Sequence, residues 1–206
     1  MLRSALLALL LLSFGAKAQA WTRAHVREVD AQLTLDETSG VQVALELGVE
    51  ISGGWLERLE IPGLSGLPER ADQIEATLLA EDGSERRAEG RLKNEVLALG
   101  FTRAEAARRG RHRLLVRYTQ AASAHAPAAD GRGSHLEWTL PGWEVGLERA
   151  AVHWIVPSSA RALPDAELAE QITRTELPQG RTKISFLRVH VPRELPWTVA
   201  VEVPPS

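Results

Sequence analysis

The chain has 206 residues and no Cys, and its 24 Lys and Arg side chains face 27 Asp and Glu, for a net charge of −3. This acidic balance argues against a nucleic-acid partner, because phosphate recognition requires an excess of positive charge. Without Cys, the fold cannot depend on disulfides. A chain of this length can bury roughly 70% of its unfolded surface, so one uncrosslinked domain is physically reasonable.

The first twenty residues have the pattern of a secretory signal peptide. Arg3 precedes an apolar run, and the segment ends in Ala18-Gln19-Ala20, a small-residue cleavage pattern. The apolar run is about half the roughly 20 residues needed to cross a bilayer. We therefore expect cleavage after Ala20 and a periplasmic or secreted protein of residues 21–206 with no transmembrane segment. Loss of Arg3 and Lys17 leaves 24 minus 2, or 22, basic side chains against 27 acidic ones, a net charge of −5.

Strict alternation of apolar and polar residues predicts a β-hairpin near the start of the mature chain. Residues 29–35 alternate, a polar turn ending in Gly40 follows, and residues 41–51 alternate again without a break. All apolar side chains of the second strand point to one face, so a second sheet must cover them. The hairpin thus predicts an all-β sandwich.

Most of the remaining chain continues in short strand patterns separated by turns rich in Gly, Pro, Asp and Ser. The charged character of residues 86–92 is typical of a sheet edge. The further predicted strands cover residues 55–61, 74–79, 86–92, 96–101, 112–118, 136–140, 144–156, 184–191 and 198–203.

Three segments depart from this strand pattern. Thr102 and Glu105 have the spacing of a capping box and Gly110 a helix stop, which predicts a short helix over residues 102–110. A second helical turn is expected around residues 165–172. The Ala-, Gly-, Ser- and Pro-rich stretch 121–134 predicts a mobile loop. The prediction is an immunoglobulin-like antiparallel β-sandwich with one or two short helices, forming a single domain over residues 21–206.

A family resemblance rests on the segments 136–143 and 152–157, which lie about ninety residues after the hairpin. They resemble the extracytoplasmic N-terminal domain of a bacterial family of predicted membrane proteins of unknown function. In that family a Tyr-bearing strand, a Trp-bearing strand and a strand ending in Pro follow the signal peptide and hairpin, and Tyr118, Trp138 and Pro157 take those places here. The resemblance implies an immunoglobulin-like sandwich over about residues 29–204 and no catalytic residues. The membrane helices of that family have no counterpart in this sequence.

Trp residues are the most informative candidates for binding, since the chain has six Trp but only three Phe and one Tyr. Trp138 and Trp143 lie on either side of a Pro-Gly turn, with Glu137 and Glu144 beside them. Exposed indole rings stack on sugars or anchor protein partners. The alternative is that Trp138, together with Trp55 and Trp154, fills the space between two sheets.

The sequence offers little for catalysis or metal binding. The six His residues are too widely spaced for a local metal motif; His125 and His135 flank the predicted loop, and His153 and His190 lie in predicted strands. The segment around Ser65 lacks the spacing of a Gly-x-Ser-x-Gly nucleophile elbow. We predict no catalytic residue, no metal and no cofactor.

These observations favour an exported, non-catalytic binding or interaction module of the bacterial cell envelope, with an envelope protein or a glycan as its partner. Contact is expected along an exposed strand edge or around Trp143 and the loop 121–134. The alternative is a secreted carbohydrate-binding protein or glycoside-active enzyme, with Trp138 and Trp143 lining a shallow cleft and Glu137 and Glu144 beside it.

Overall fold

The computed structural model describes residues 22–36, 40–120, 126–127, 133–164 and 171–205. These residues form three β-sheets and one 3-10 helix, which confirms the predicted all-β class. The strands are β1 (Arg23–Asp36), β2 (Gly40–Ser52), β3 (Arg58–Pro62), β4 (Glu75–Leu79), β5 (Glu85–Arg87), β6 (Glu89–Lys93), β7 (Val96–Gly100), β8 (Gly110–Gln120), β9 (Ala126–Pro127), β10 (Ser134–Leu140), β11 (Leu147–Pro157), β12 (Arg161–Leu163), β13 (Gln171–Leu177), β14 (Arg181–Val191) and β15 (Trp197–Val203).

The largest sheet has eight strands in the order β13-β14-β11-β1-β2-β8-β4-β5. The four-stranded sheet runs β12-β15-β10-β9, and the three-stranded sheet runs β3-β7-β6. Buried apolar side chains from all three sheets join in one hydrophobic cluster. Its largest fully buried members are Trp138, Trp154, Trp197 and Phe186. The smaller sheets thus supply the second surface that the alternating hairpin requires.

The predicted hairpin is present as β1 and β2. These strands pair antiparallel from Arg23↔Ser52 to Asp36↔Gly40, with one register shift between Val26 and Glu28. Along β2 the apolar positions are buried, whereas Gln42 is exposed and the other polar positions are partly exposed. The period of two therefore separates a core face from an outer face.

One strand pair departs from the antiparallel prediction. β1 and β11 pair in parallel, from Glu28↔Arg149 to Thr34↔Ile155. A parallel pair needs a long crossover connection, and here more than a hundred residues separate the two strands. The eight-stranded sheet is therefore mixed, and its two halves meet at this pair.

The prediction of a helix over residues 102–110 is wrong. The backbone turns once, with the Glu105 N–H donating to the Thr102 carbonyl at 2.9 Å. The chain is then held by tertiary bonds, since the Leu56 N–H donates to Ala107 O at 2.8 Å and Arg86 Nη1 donates to Ala106 O at 2.7 Å. A helix this short is marginal alone, and these bonds occupy carbonyls near its end.

The other irregular segments are only partly described. The 3-10 helix Ala71–Gln73 was not predicted. The helical turn predicted around residues 165–172 falls mainly on residues 165–170, outside the described residues, while Gln171 and Ile172 begin β13. Most of the loop predicted at 121–134 also lies outside them. Within the described ranges, no helix is both long and apolar enough to cross a membrane.

Candidate functional site

Trp138 belongs to the core. Its side chain is completely buried, and Nε1 donates to the Tyr118 hydroxyl at 3.2 Å. The Tyr118 hydroxyl in turn donates to the Ser65 carbonyl at 2.8 Å, and burial raises the pKa of Tyr118. This relay satisfies both polar aromatic groups inside the protein, as buried Tyr and Trp require. Trp138 therefore fills the core, which is the alternative to a binding role that the sequence left open.

Trp143 is also largely enclosed, with 9% of its surface exposed. It lines a cavity of about 270 Å³ together with Glu144, His25 and Glu60. Its backbone carbonyl accepts bonds from the N–H groups of Gly146 at 3.1 Å and Glu194 at 2.8 Å, which hold the turn in place. With so little of its surface exposed, Trp143 offers little ring area for stacking on a ligand.

The carboxylates predicted beside the Trp rings do not share a cleft with Trp138. Glu137 alternates with Trp138 along β10, so it is exposed while Trp138 is buried, and its Oε2 lies 3.6 Å from His135 Nε2. Glu144 is exposed beside the Trp143 cavity. Among the other Trp residues, Trp154 is buried as expected, whereas Trp55 is 39% exposed and stacks under the Arg108 guanidinium, 4.2 Å from the ring centroid.

A larger cavity of about 420 Å³ lies against β1, β2 and β8, and its lining charges are partly paired. Arg27 Nε lies 2.8 Å from Glu50 Oε2, and Arg27 Nη1 lies 4.0 Å from Glu148 Oε1. His112 also lines it, and its Nε2 donates to the Arg108 carbonyl at 2.8 Å. Arg27 and Glu50 thus offset each other's charge within the protein.

Three polar side chains that sequence reasoning did not bring together meet in the eight-stranded sheet. His153 Nδ1 lies 2.8 Å from Ser185 Oγ, and His153 Nε2 lies 3.4 Å from Asp30 Oδ1. The hydrogen bond with His153 lowers the pKa of Asp30. No local signal could have found this cluster, because the parallel pairing of β1 with β11 creates it.

This Ser-His-Asp cluster joins three strands. Acyl transfer needs free donors aimed at a developing oxyanion. Ser185 and His153 face each other in the β11–β14 ladder, and each is also paired on its other side, with Thr173 and Gln32. The neighbouring backbone N–H groups are therefore engaged in the sheet, and the cluster acts as a cross-strand polar link between β1, β11 and β14.

One end of the eight-stranded sheet is an open edge formed by β13. Among the residues that the structure describes, this strand pairs with β14 on one side and with no strand on the other, and six of its seven residues are exposed. Ile172 is 36% exposed although it stands opposite the fully buried Phe186. A strand that is paired on one side presents backbone N–H and C=O groups on the other. β13 therefore offers a template for an additional strand.

Arg174 holds this edge strand in a fixed position. Its Nη1 donates to Ala160 O at 2.8 Å, its Nη2 donates to Ser158 O, and its Nε donates to Glu176 Oε1 at 2.9 Å. Thr182 Oγ1 also donates to the Thr175 carbonyl at 3.2 Å. The strand is thus pre-ordered, which lowers the entropy cost of adding a partner.

The opposite end of the same sheet, β5, is shorter and more charged. It has three residues, Glu85, Arg86 and Arg87. Short and charged edge strands discourage pairing with other chains. Of the two ends of this sheet, β13 is the one suited to strand addition.

Within the described ranges, no set of three or more His, Cys, Asp or Glu side chains is placed to hold a metal ion. His125, one of the two loop histidines, lies outside those ranges.

Comparison with known proteins finds similarity in fold alone. No family model matches the chain, and no curated protein matches it. An M1 zinc metallopeptidase from Deinococcus radiodurans is similar in structure, with a TM-score of 0.51 and 19% identity over 87% of this chain. A two-domain M1 zinc metallopeptidase variant bound to L-tryptophan gives a TM-score of 0.52 and 17% identity over 89% of this chain. The chain spans only 42% and 43% of the length of these two peptidases.

Proposed function

We propose that this protein is a non-catalytic interaction module of the bacterial cell envelope that binds an extended peptide segment by strand addition along β13. The observation that carries the proposal is the edge strand β13: it has seven residues, is exposed along nearly its whole length, and within the described ranges has a paired neighbour on one side only. Export rests on the predicted signal peptide of residues 1–20.

The composition of β13 supports this mode of binding. Ile172, Thr173 and Thr175 are β-branched, which suits an extended backbone. The strand contains no Pro or Lys, and its two charged side chains, Arg174 and Glu176, are paired with each other. In strand addition, main-chain hydrogen bonds provide affinity and alternate side chains provide specificity. Arg174 and Glu176 are the charged side chains that a partner strand would meet.

The fold comparison supports a role beside a catalytic unit. This chain matches less than half the length of two M1 zinc metallopeptidases, one of them a two-domain protein, so its fold occurs there as one part of a larger protein. We propose a peptidase-related domain that contributes binding, with bond cleavage left to another polypeptide or domain.

The carbohydrate alternative requires two accessible Trp faces. Trp138 is completely buried and Trp143 is 9% exposed, so the pair does not form a stacking platform. The binding candidate that keeps support is the edge strand, and the cavity beside Trp143 and Glu144 is secondary to it.

The test measures amide hydrogen exchange of the purified protein in the absence and in the presence of a library of short peptides rich in Val, Ile and Thr. A bound strand should slow amide exchange within residues 171–177 and leave residues 85–87 unchanged. Two variants, Thr175→Pro and Glu176→Pro, are compared. Successive N–H groups of a strand point to opposite sides, so one of these prolines removes a donor that bonds to β14 and the other removes only a donor at the outer edge.

The informative proline variant is the one that keeps the parent's circular dichroism and unfolding midpoint. It should lose peptide binding, whereas Arg87→Pro on β5 should retain it. Peptide binding without protection of residues 171–177, or binding unchanged in the informative variant, would disprove the proposal.

A further inference from the structure

The open edge of β13 carries a charge pattern that is complementary to itself. Arg174 and Glu176 are separated by one residue, so both side chains lie on the same face of the strand. That face is the core side of the sheet, because Ile172 on the same face stands opposite buried Phe186. Thr175, between the two charges, faces the other way.

We propose that β13 pairs with β13 of a second copy of this chain, antiparallel and about a two-fold axis at Thr175. This inference rests on the proposed function, because it names the strand that the edge accepts. The two eight-stranded sheets would join into one continuous sheet. A two-fold axis perpendicular to the sheet makes such a contact isologous, so it closes on itself as a dimer.

The charges select the register. With Thr175 opposite Thr175 of the second copy, Arg174 of each copy stands opposite Glu176 of the other. Opposite charges that face each other across two strands stabilise the pair, and like charges destabilise it. The neighbouring register, centred on Arg174, pairs more residues but places two guanidinium groups against each other.

Arg174 has donors left for this contact. A guanidinium has five N–H donors, and the three bonds to Ala160, Ser158 and Glu176 within its own chain use three of them. Five minus three leaves two donors that make no bond to another described residue, and these are the donors proposed for the second copy's carboxylate. The existing bonds also hold the side chain in place, so little rotamer entropy is lost when the dimer forms.

The exposed surface of the strand fits the same occupant. The side chains of residues 171–176 are exposed, and the Arg174–Glu176 pair is solvated in the single chain, with side-chain exposures of 42% and 64%. An exposed pair of this kind contributes little to the stability of one chain. A second copy would shield both charges and give each a second partner.

Analytical ultracentrifugation of the purified protein over a concentration series tests the inference, with charge-reversed variants alongside. The parent should pass from monomer to dimer as its concentration rises. Glu176→Arg places Arg opposite Arg in the dimer and should weaken association by about tenfold or more. Arg174→Glu combined with Glu176→Arg restores opposite charges and should recover association.

Because the double variant also loses the bonds to Ala160 and Ser158, its circular dichroism and unfolding midpoint are measured first. If the double variant is not folded, Glu176→Arg is compared with Glu85→Arg, the same charge reversal on β5. Glu85→Arg should leave association unchanged. A parent that stays monomeric up to its solubility limit overturns the inference. So does a dimer whose affinity is the same in Glu176→Arg.

The outcomes separate this inference from the proposed function. If the protein stays monomeric and added peptides still protect the amides of β13 from exchange, only the dimer inference is overturned and the proposed function stands. A dimer that depends on Glu176, with no peptide added to the edge, would leave the second copy as the only strand that β13 accepts. A monomer that binds no peptide would overturn both.

Discussion

The two edge strands of the eight-stranded sheet, β5 and β13, are anchored in the same way but differ in length and composition. Each edge strand is anchored by an arginine that donates to carbonyl groups of a neighbouring segment: Arg86 of β5 to Ala106, and Arg174 of β13 to Ala160. β5 ends after three residues, whereas β13 continues for seven. A short charged edge resists pairing, and a longer β-branched edge invites it. Anchoring alone therefore does not decide whether an edge is closed to partners; length and composition do.

The comparison implies that β13 contributes little to the stability of its own chain. Phe186 of β14 is completely buried, so Phe186→Ala should lower the free energy of unfolding by about 3–5 kcal/mol. Ile172→Ala, in the facing position of β13, should cost no more than about 1 kcal/mol because its side chain is 36% exposed. Urea unfolding followed by Trp fluorescence measures both. Equal costs would mean that β13 belongs to the core, and the contrast between the edges would fail.

The β5 half of the sheet depends on a buried polar link in β8. Tyr118→Phe leaves Trp138 Nε1 and the Ser65 carbonyl without their shared partner. The free energy of unfolding should fall by about 1–3 kcal/mol, because unsatisfied buried groups are costly. Thr119→Val removes an exposed hydroxyl from the same strand and is the control. If the two variants unfold at the same urea concentration, the Tyr118 relay does not stabilise this half.

Acid should affect two carboxylates of this sheet region unequally: Asp30 in β1 and Asp82 in the turn before β5. The hydrogen bond to His153 lowers the pKa of Asp30 below its ordinary value of 3.8, and Ser84 lowers that of Asp82 in the turn before β5. A carboxyl whose pKa is lowered in the folded state stabilises that state above the unfolded pKa. The benefit is lost as the pH falls through the lower folded value.

Unfolding measured between neutral pH and about pH 2 should therefore show a smaller loss of stability for Asp30→Asn than for the parent. Asp82→Asn should change the profile less, because Asp82 is a fully exposed turn residue. A larger change for Asp82→Asn would place the acid-sensitive link at the β5 end instead of between β1, β11 and β14.

Local pattern accounts for much of the fold. The alternation in β1 and β2 predicted both the strands and the face that each side chain occupies, since the period of two is a property of the backbone. It also predicted buried positions such as Val43 and Leu45. For Trp138 the sequence left two alternatives open, because an apolar ring in a strand fits either a core or a binding edge.

The sequence by itself thus determined the all-β class and the hairpin, because both follow from residues that are close together in the chain. Only the tertiary structure decided which strands are neighbours. It placed β11 parallel to β1, which creates the link from Asp30 to His153 and Ser185. Residues 102–110 form no helix there, and their backbone carbonyls instead accept bonds from Leu56 and Arg86. It also left β13 at the end of the sheet, where no other described strand pairs with its outer side. Strand neighbours depend on contacts between distant segments, and a period of two specifies a face without specifying a partner.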